Sequence, residues 1–331
     1  MLQGLRRVVI TAALVFEVLG STSRADADPM STSPEQAYDL GDVPNARSVG
    51  MGGALDALGV STTALFLNPA NLALARVYHI EAIGAFSPES QRETAGGAIV
   101  DSVLNTSHIA GGLGGTWSQI DPNGIHRTWT DVRGGLALPL GDYFALGAGV
   151  RWLNVNQSVG AGPFGASKAS DGTPSGPLFN QPTVSAGMTL NLSDSFRAAV
   201  SGDNLTNPGT ALAPTLGRAG VGYTTSSFSI EADGLLDFTT WGSTKGRVMA
   251  GGEVFVAERY ALRAGWRYDA GQQVNAGSIG FGYIDPKWSI EIGLRRDLIG
   301  DHGQTLGVIG LRYFYDALGL GSPDDAGGMG M

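Results

Sequence analysis

The chain has no cysteine among its 331 residues. That excludes a disulfide framework, a thiolate metal site and a lipid-modified cysteine behind an export signal. Charge is also scarce, at 15% of residues with a net charge of −9. Without a basic face, a nucleic-acid partner is excluded. No apolar run reaches the ~18 uninterrupted residues of a membrane helix, so helical spans are excluded while membrane strands are not. The signatures G-x-S-x-G, H-E-x-x-H and G-x-x-x-x-G-K-S/T are missing. His79, His108, His126 and His302 are scattered at strand ends and loops. The loop carboxylates Asp121, Asp171 and Asp301 lack the spaced ligand set of a calcium loop. The expectation is therefore a protein that is not an enzyme, with no cofactor and no metal.

Glycine is abundant, with 51 residues, about twice the usual share. It costs backbone entropy in any regular element, and strands that bend, close and crowd their interior faces give such use a reason. The first 27 residues read as a secretory signal. Arg6 and Arg7 form the positive end, Val8 to Leu19 the apolar stretch interrupted by Glu17, and Ala25-Asp26-Ala27 a small-x-small cleavage site. Residues 28–43 are a polar Pro/Ser/Asp stretch expected to be a flexible linker, and 44–76 form a distinct small-residue segment.

From about Tyr78 to Tyr315 the chain alternates apolar with small or polar residues in stretches of eight to eleven, the period of a strand with two unlike faces. Tyr260, Leu262, Ala264, Trp266 and Tyr268 oppose Arg259, Arg263, Gly265 and Arg267. Trp288, Ile290, Ile292 and Leu294 oppose Lys287, Glu291, Gly293 and Arg295 in the same way. Alternation alone fits a soluble sandwich equally well. The connections separate the two. The pattern predicts fourteen strands, and from the fourth onward short joints at Gly141-Asp142, Ser193 to Ser195, Ser226-Ser227, Ala257-Glu258 and Asp285-Pro286 alternate with longer ones, of which 154–182 is the longest. Bacterial outer-membrane barrels keep that parity because periplasmic turns are tight, outer loops are long and an even strand number leaves both termini periplasmic. Phe144, Phe196, Phe228, Tyr260 and Trp288 lie beside the short turns, and Trp117, Trp152, Trp241 and Trp266 nearer the loops, as two interfacial girdles would. The fold class is thus an all-β transmembrane antiparallel up-and-down barrel over 77–315, followed by a Gly/Asp-rich periplasmic tail at 316–331.

The block Asn45-Ala-Arg-Ser-Val-Gly-Met-Gly-Gly-Ala54, with Asn68-Pro69-Ala70 and Leu72 after it, resembles the amino-terminal signature of FadL-type hydrophobic-compound transporters and of the PorV/PorQ barrels. The resemblance implies an N-terminal hatch inside the barrel and a ligand path between outer loops and hatch. Its residues would be Gly50, Met51, Gly52 and Gly53 with Asn68, Pro69, Ala70 and Asn71. The block's chemistry suits that role, since small residues allow close approach, Pro69 fixes a turn and the Asn68 side chain can bond the backbone there. The bland alternative is a segment that merely starts the first strand. Chain length and simpler loops look more like the PorV/PorQ set, whose members serve protein secretion and surface attachment.

The best remaining constellation is charged. Glu231, Asp233 and Glu253 are expected to face Arg259, Arg263, Arg267, Glu291 and Arg295 across neighbouring strands. One reading is a salt-bridge ladder stiffening a narrow barrel, the other a polar path or hatch-binding surface. Expected partners are outer-membrane lipid, the barrel-assembly machinery reading Phe314 or Tyr315 as a terminal aromatic, and either a hydrophobic ligand or secretion-system proteins. The functional expectation is uptake of fatty-acid-like molecules, with a secretion scaffold as the alternative.

Overall fold

A computed structural model describes residues 42, 43, 45–103, 109–120, 127–157, 176–241, 243–299 and 303–315. The expected signal, the tail, almost all of the linker, and His108, His126 and His302 lie outside the described residues. The described segments contain fourteen strands, β1 Tyr78–Ser87, β2 Arg92–Asp101, β3 Ala110–Ile120, β4 Arg127–Leu140, β5 Phe144–Gln157, β6 Gly176–Asn191, β7 Phe196–Asp203, β8 Leu216–Thr224, β9 Phe228–Asp237, β10 Lys245–Val256, β11 Tyr260–Asp269, β12 Val274–Ile284, β13 Trp288–Ile299 and β14 Thr305–Phe314. Each pairs with its sequence neighbours, and β1 pairs antiparallel with β14 from His79↔Phe314 to Phe86↔Gly307, which closes the barrel. Closure matters physically because a strand edge left open in hydrocarbon would strand unsatisfied N–H and C=O groups.

The faces sort as the alternation requires. Outward positions include Leu136, Leu146, Val150, Ile230, Val254, Leu262, Ile292 and Leu311, all exposed. Many inward positions of the same strands are small or charged, among them Gly147, Gly251, Glu253 and Arg263. At the short-turn rim the outward aromatics touch in series, with ring centroids 5.5 Å apart for Tyr260–Tyr283, 5.3 Å for Tyr283–Trp288 and 5.3 Å for Tyr78–Tyr315. Trp117, Trp152 and Trp266 project outward nearer the long-loop rim. Trp241 instead sits in the β9–β10 connection, packed where a Cβ on Gly271 would fall. An apolar belt between two aromatic bands is the surface of a membrane-spanning barrel.

The β5–β6 hairpin is longer than expected. Residues 154–157 and 176–182 were predicted as loop but are paired, with Asn154 opposite Asn180 and Val155 opposite Phe179. Glycine and proline in 176–182 mask a strand whose ladder is set by its neighbour. A register shift at Val155/Asn156 absorbs the irregularity.

The apolar core of the molecule is the contact between the N-terminal segment and the inner wall. Val49, Met51, Leu55, Leu58, Leu65, Phe66 and Leu72 bury against Ile83, Val100, Ala137, Leu306 and Val308. The segment therefore fills the lumen, which in a polar-walled barrel would otherwise be water.

Candidate functional site

The luminal segment is built from two short helices, α1 Ala46–Gly50 and α2 Thr62–Leu67, and a tight 3₁₀ turn, Pro69–Ala73. Asn45 caps α1, its Oδ1 accepting from the Arg47 N–H at 3.1 Å and the Ser48 N–H at 3.2 Å. Its Nδ2 donates to Glu81 of β1 at 2.9 Å, so one residue starts the helix and ties it to the wall. The helix ends in a Schellman motif, with Gly53 N donating to Ser48 O at 2.8 Å and Gly52 N to Val49 O at 3.1 Å. Gly52 holds φ +69° there, the left-handed region that favours glycine. A Cβ on it would also lie 2.8 Å from the Trp266 backbone nitrogen.

The wall is shaped to receive this backbone. Gly251 and Gly265 face each other across β10 and β11, and Gly280 and Gly293 across β12 and β13. A Cβ on Gly251 would collide with Met51 O, one on Gly265 with Met51 C and Gly52 N, and one on Gly293 with Ala46 O. On the opposite wall a Cβ on Gly147 would collide with the Pro69–Ala70 peptide and one on Gly187 with the Asn68 side chain. Each seat puts hatch backbone where side-chain volume would otherwise be.

Polar contacts then fix the register. Asn68 Nδ2 donates to Asp56 O at 3.0 Å and to Thr189 Oγ1 at 3.1 Å, while its Oδ1 accepts from Ala70 N at 3.1 Å. Asn71 Nδ2 donates to the same Asp56 carbonyl at 2.8 Å. Asn68→Ala takes the donor from the buried Thr189 hydroxyl and one of two donors from the Asp56 carbonyl, and should destabilise hatch docking by about 1–3 kcal/mol. Faster hydrogen exchange over residues 56–72 with the barrel amides unchanged is the expected readout.

Eleven of the sixteen residues singled out from the sequence touch in one of two groups here, the glycine block and the Asn-Pro-Ala-Asn turn with their wall contacts, or the ladder around Glu253. Glu253 takes Arg263 Nε at 2.5 Å and Arg47 of α1 at 2.9 Å. Arg263 continues to Glu291 at 2.9 Å, and Glu291 to Arg312 at 3.3 Å. Arg312 reaches Glu81 at 3.3 Å. The other charges do not join that ladder. Arg267 and Arg295 bond Asp42 at 2.7 Å and 2.9 Å. Arg259 lies exposed in the β10–β11 turn, outside the lumen, because the strand begins one residue after it. Glu231 and Asp233 accept from hatch backbone instead of facing arginine partners. Asp233 takes the Asp56 N–H at 2.9 Å, and Glu231 takes Ala57 N–H at 2.5 Å and Leu58 N–H at 3.0 Å. The sequence reading missed Arg47, Glu81 and Arg312, and with them Asp131, Arg133, Arg151 and Asp203. Asp131 bonds Arg133 at 3.1 Å and Arg151 at 2.9 Å, and Arg133 bonds Asp203 at 3.2 Å. For all of these but Arg47, which lies on α1, the available signal was a charge at inward strand parity.

Asp56 is buried beside these carboxylates, with Ser201 Oγ donating to its Oδ1 at 2.6 Å. Burial pushes its carboxyl up to about 6, against the lowering effect of Ser201 and Arg218. A raised acid value means that docking is most favourable below the unfolded value of about 4 and weakens as pH rises through about 6. Asp56→Asn should remove that loss, on the order of 1–3 kcal/mol at neutral pH. Exchange at the Ala57 and Leu58 amides, corrected for intrinsic rates, should then rise less between about pH 5 and pH 8 than in the unsubstituted chain.

Toward the long-loop rim the inner wall changes character. Ile120, Trp129, Leu153, Val155 and Phe179, at inward positions of β3 to β6, pack with Leu212 and Ala213 of the β7–β8 connection. Among the described residues the buried Trp129 indole N–H has no hydrogen-bond partner. Below this cluster comes the Asp131/Arg133/Arg151/Asp203 tier, whose Arg133 donates to Phe66 O of the hatch at 3.1 Å. At the short-turn rim a cavity of about 390 Å³ lies between the hatch end at Ala73 and Leu74 and the wall at Pro139, Phe144 and Asn191.

This fold recurs in solved structures. The CymD monoaromatic hydrocarbon channel matches with a TM-score of 0.63 at 13% identity, over 84% of this chain and 99% of that one. The chain has the FadL-type fold. The Ralstonia pickettii toluene transporter TbuX matches at TM-score 0.58 and 14% identity, over 82% of this chain and 98% of that one. A Pseudomonas aeruginosa FadL homologue matches at 0.54 and 16%, over 83% and 98%. No protein-family model matches the sequence, and no curated protein does. At such identities the FadL-type fold is what is shared, and the function rests on the chemistry of the site.

Proposed function

We propose that the protein passes apolar small molecules across the outer membrane through a hatch-plugged barrel, without covalent chemistry. The observation that carries this reading is the apolar inner wall above the hatch, formed by Ile120, Trp129, Leu153, Val155 and Phe179. These side chains are buried under Leu212 and Ala213 of the β7–β8 connection, so an apolar solute that displaces that cover takes up apolar contacts for which a water-filled polar pore has no use. The structural neighbours named for hydrocarbon and toluene passage support the same reading. Gly50 to Gly53 and Asn68 to Asn71 act in it as the part of the hatch that must shift, because they sit in the seats that block the lumen. The short turns and the Phe314–Tyr315 end of β14 face the periplasm, as tight turns do in such barrels.

The test is mass spectrometry of extracts from protein purified in a mild detergent from outer membranes. A stoichiometric apolar molecule is the expected result. Protein free of ligand but accompanied by secretion components would contradict it and favour a scaffold.

A further inference from the structure

The apolar wall at the long-loop rim contains a polar group that the wall itself does not satisfy. Trp129 points inward from β4 and is 8% exposed, and among the described residues its buried indole N–H has no hydrogen-bond partner. An indole nitrogen can only donate, so this group is suited to an acceptor and to nothing else. The residues opposite it do not supply one. On β5 that residue is Val155, and on β3 it is Ser118, whose hydroxyl pairs with that of Thr94 at 2.7 Å. Around them stand the hydrocarbon side chains of Ile120, Leu153 and Phe179. Trp152, outward on β5, is the contrast, since it gives its indole N–H to Asn180 Oδ1 at 2.9 Å. A buried donor left unpaired costs more than an apolar group of similar shape. Phenylalanine would therefore pack here at lower cost, and tryptophan gains a use when a ligand brings the acceptor.

The cover over this wall meets it through carbon. Leu212 and Ala213 of the β7–β8 connection pack on the cluster, while their N–H groups donate within that connection, to Thr210 Oγ1 at 3.3 Å and to the Thr210 carbonyl at 3.2 Å. An apolar body that takes their place regains the carbon contacts. One that also carries an acceptor pairs the Trp129 N–H, which the cover does not. A carboxylate fits poorly, since it would shed its hydration among carbon atoms, and Arg127, two residues earlier on β4, has an interaction of its own. We propose that Trp129 is the specificity-determining donor of the entry wall, and that its ligands are neutral apolar molecules carrying a hydrogen-bond acceptor, such as aryl ketones. A site with a buried donor discriminates against analogues that lack the acceptor, because the donor then stays unpaired. The monoaromatic hydrocarbon and toluene in the names of the structural neighbours offer no such atom. The inference rests on the apolar-passage reading and narrows its solutes.

The test is titration calorimetry of acetophenone and of ethylbenzene, the same carbon skeleton without the acceptor, on the full-length protein and on Trp129→Phe. The substitution should weaken acetophenone binding about ten-fold, the worth of one neutral hydrogen bond, and leave ethylbenzene binding as it was. In the unsubstituted protein acetophenone should move one of the six indole N–H resonances downfield and ethylbenzene none, a readout independent of any variant. Equal losses for both ligands would make Trp129 a packing residue and overturn the proposal, as would acetophenone binding that the substitution leaves unchanged. In both cases ethylbenzene binding to the unsubstituted protein keeps apolar passage standing. Benzoate bound more tightly than acetophenone also overturns the proposal. Binding of neither neutral ligand contradicts both readings.

Discussion

Gly265→Val expels the hatch and leaves the barrel closed. Even a single Cβ at this position would fall on Gly52 N and Met51 C, and backbone cannot rotate away as a side chain can. Overpacking a filled interior costs about 1–3 kcal/mol where neighbours can yield. Here the neighbour is a helix end fixed by its Schellman bonds and the cost exceeds that range. Pairing it with Gly251→Val, which meets Met51 O directly across the ladder, should leave no docked population. Conductance in planar bilayers should rise about ten-fold or more as an occluded lumen opens, and protease should cut within residues 45–74. Gly234→Ala is the control, since nothing lies within 4 Å of its added Cβ, and it should behave as the unsubstituted protein. The resistance of the barrel to heat in detergent should be nearly unchanged in all three, because the fourteen-strand ladder is not touched.

Glu253→Ala should be the most damaging single change in the ladder. Its side chain is fully buried between Arg47 and Arg263, and its removal leaves two guanidinium groups facing each other without their shared anion. Breaking a buried pair from one side costs about 3–5 kcal/mol. The loss falls on the docking of α1, because Arg263 keeps Glu291 at 2.9 Å while Arg47 is tied to the wall through Glu253. Exchange protection of the α1 amides should collapse while β11 and β13 stay protected. The double substitution with Arg47→Ala should recover part of the loss, which measures the coupling directly.

The barrel was legible in the sequence because two independent periods agreed. Alternation put Tyr260, Leu262 and Trp266 on the lipid side, and the parity of short and long joints closed the sheet. What escaped is instructive. The start of β6 at Gly176 was hidden by glycine and proline, which argue for loop locally, whereas the tertiary ladder with β5 overrides them. The glycine block was legible as close packing, but its partners were not. No local pattern says that Gly265 and Gly251 receive Met51, since seat and occupant lie some two hundred residues apart in sequence. Charge matching also has a limit. It paired Glu253 with Arg263, but it sent Glu231 and Asp233 to arginines when their partners are the amides of Asp56, Ala57 and Leu58. A backbone N–H leaves no trace in the sequence. Arg259 shows the same limit in reverse, its parity pointing inward while the chain is already turning. Asp42 was read as the end of a linker, and three arginines hold it inside the lumen.

The central claim, that the hatch-filled lumen conducts apolar molecules, is tested most directly by flux of a fluorescent apolar probe into proteoliposomes. The comparison is between the unsubstituted protein and a variant whose apolar entry wall is made polar by Leu153→Asn and Phe179→Asn. The expected result is protein-dependent entry that falls about ten-fold or more in the variant, with the barrel still folded. Flux equal in protein-bearing and empty vesicles, or unchanged by the two substitutions, would contradict it.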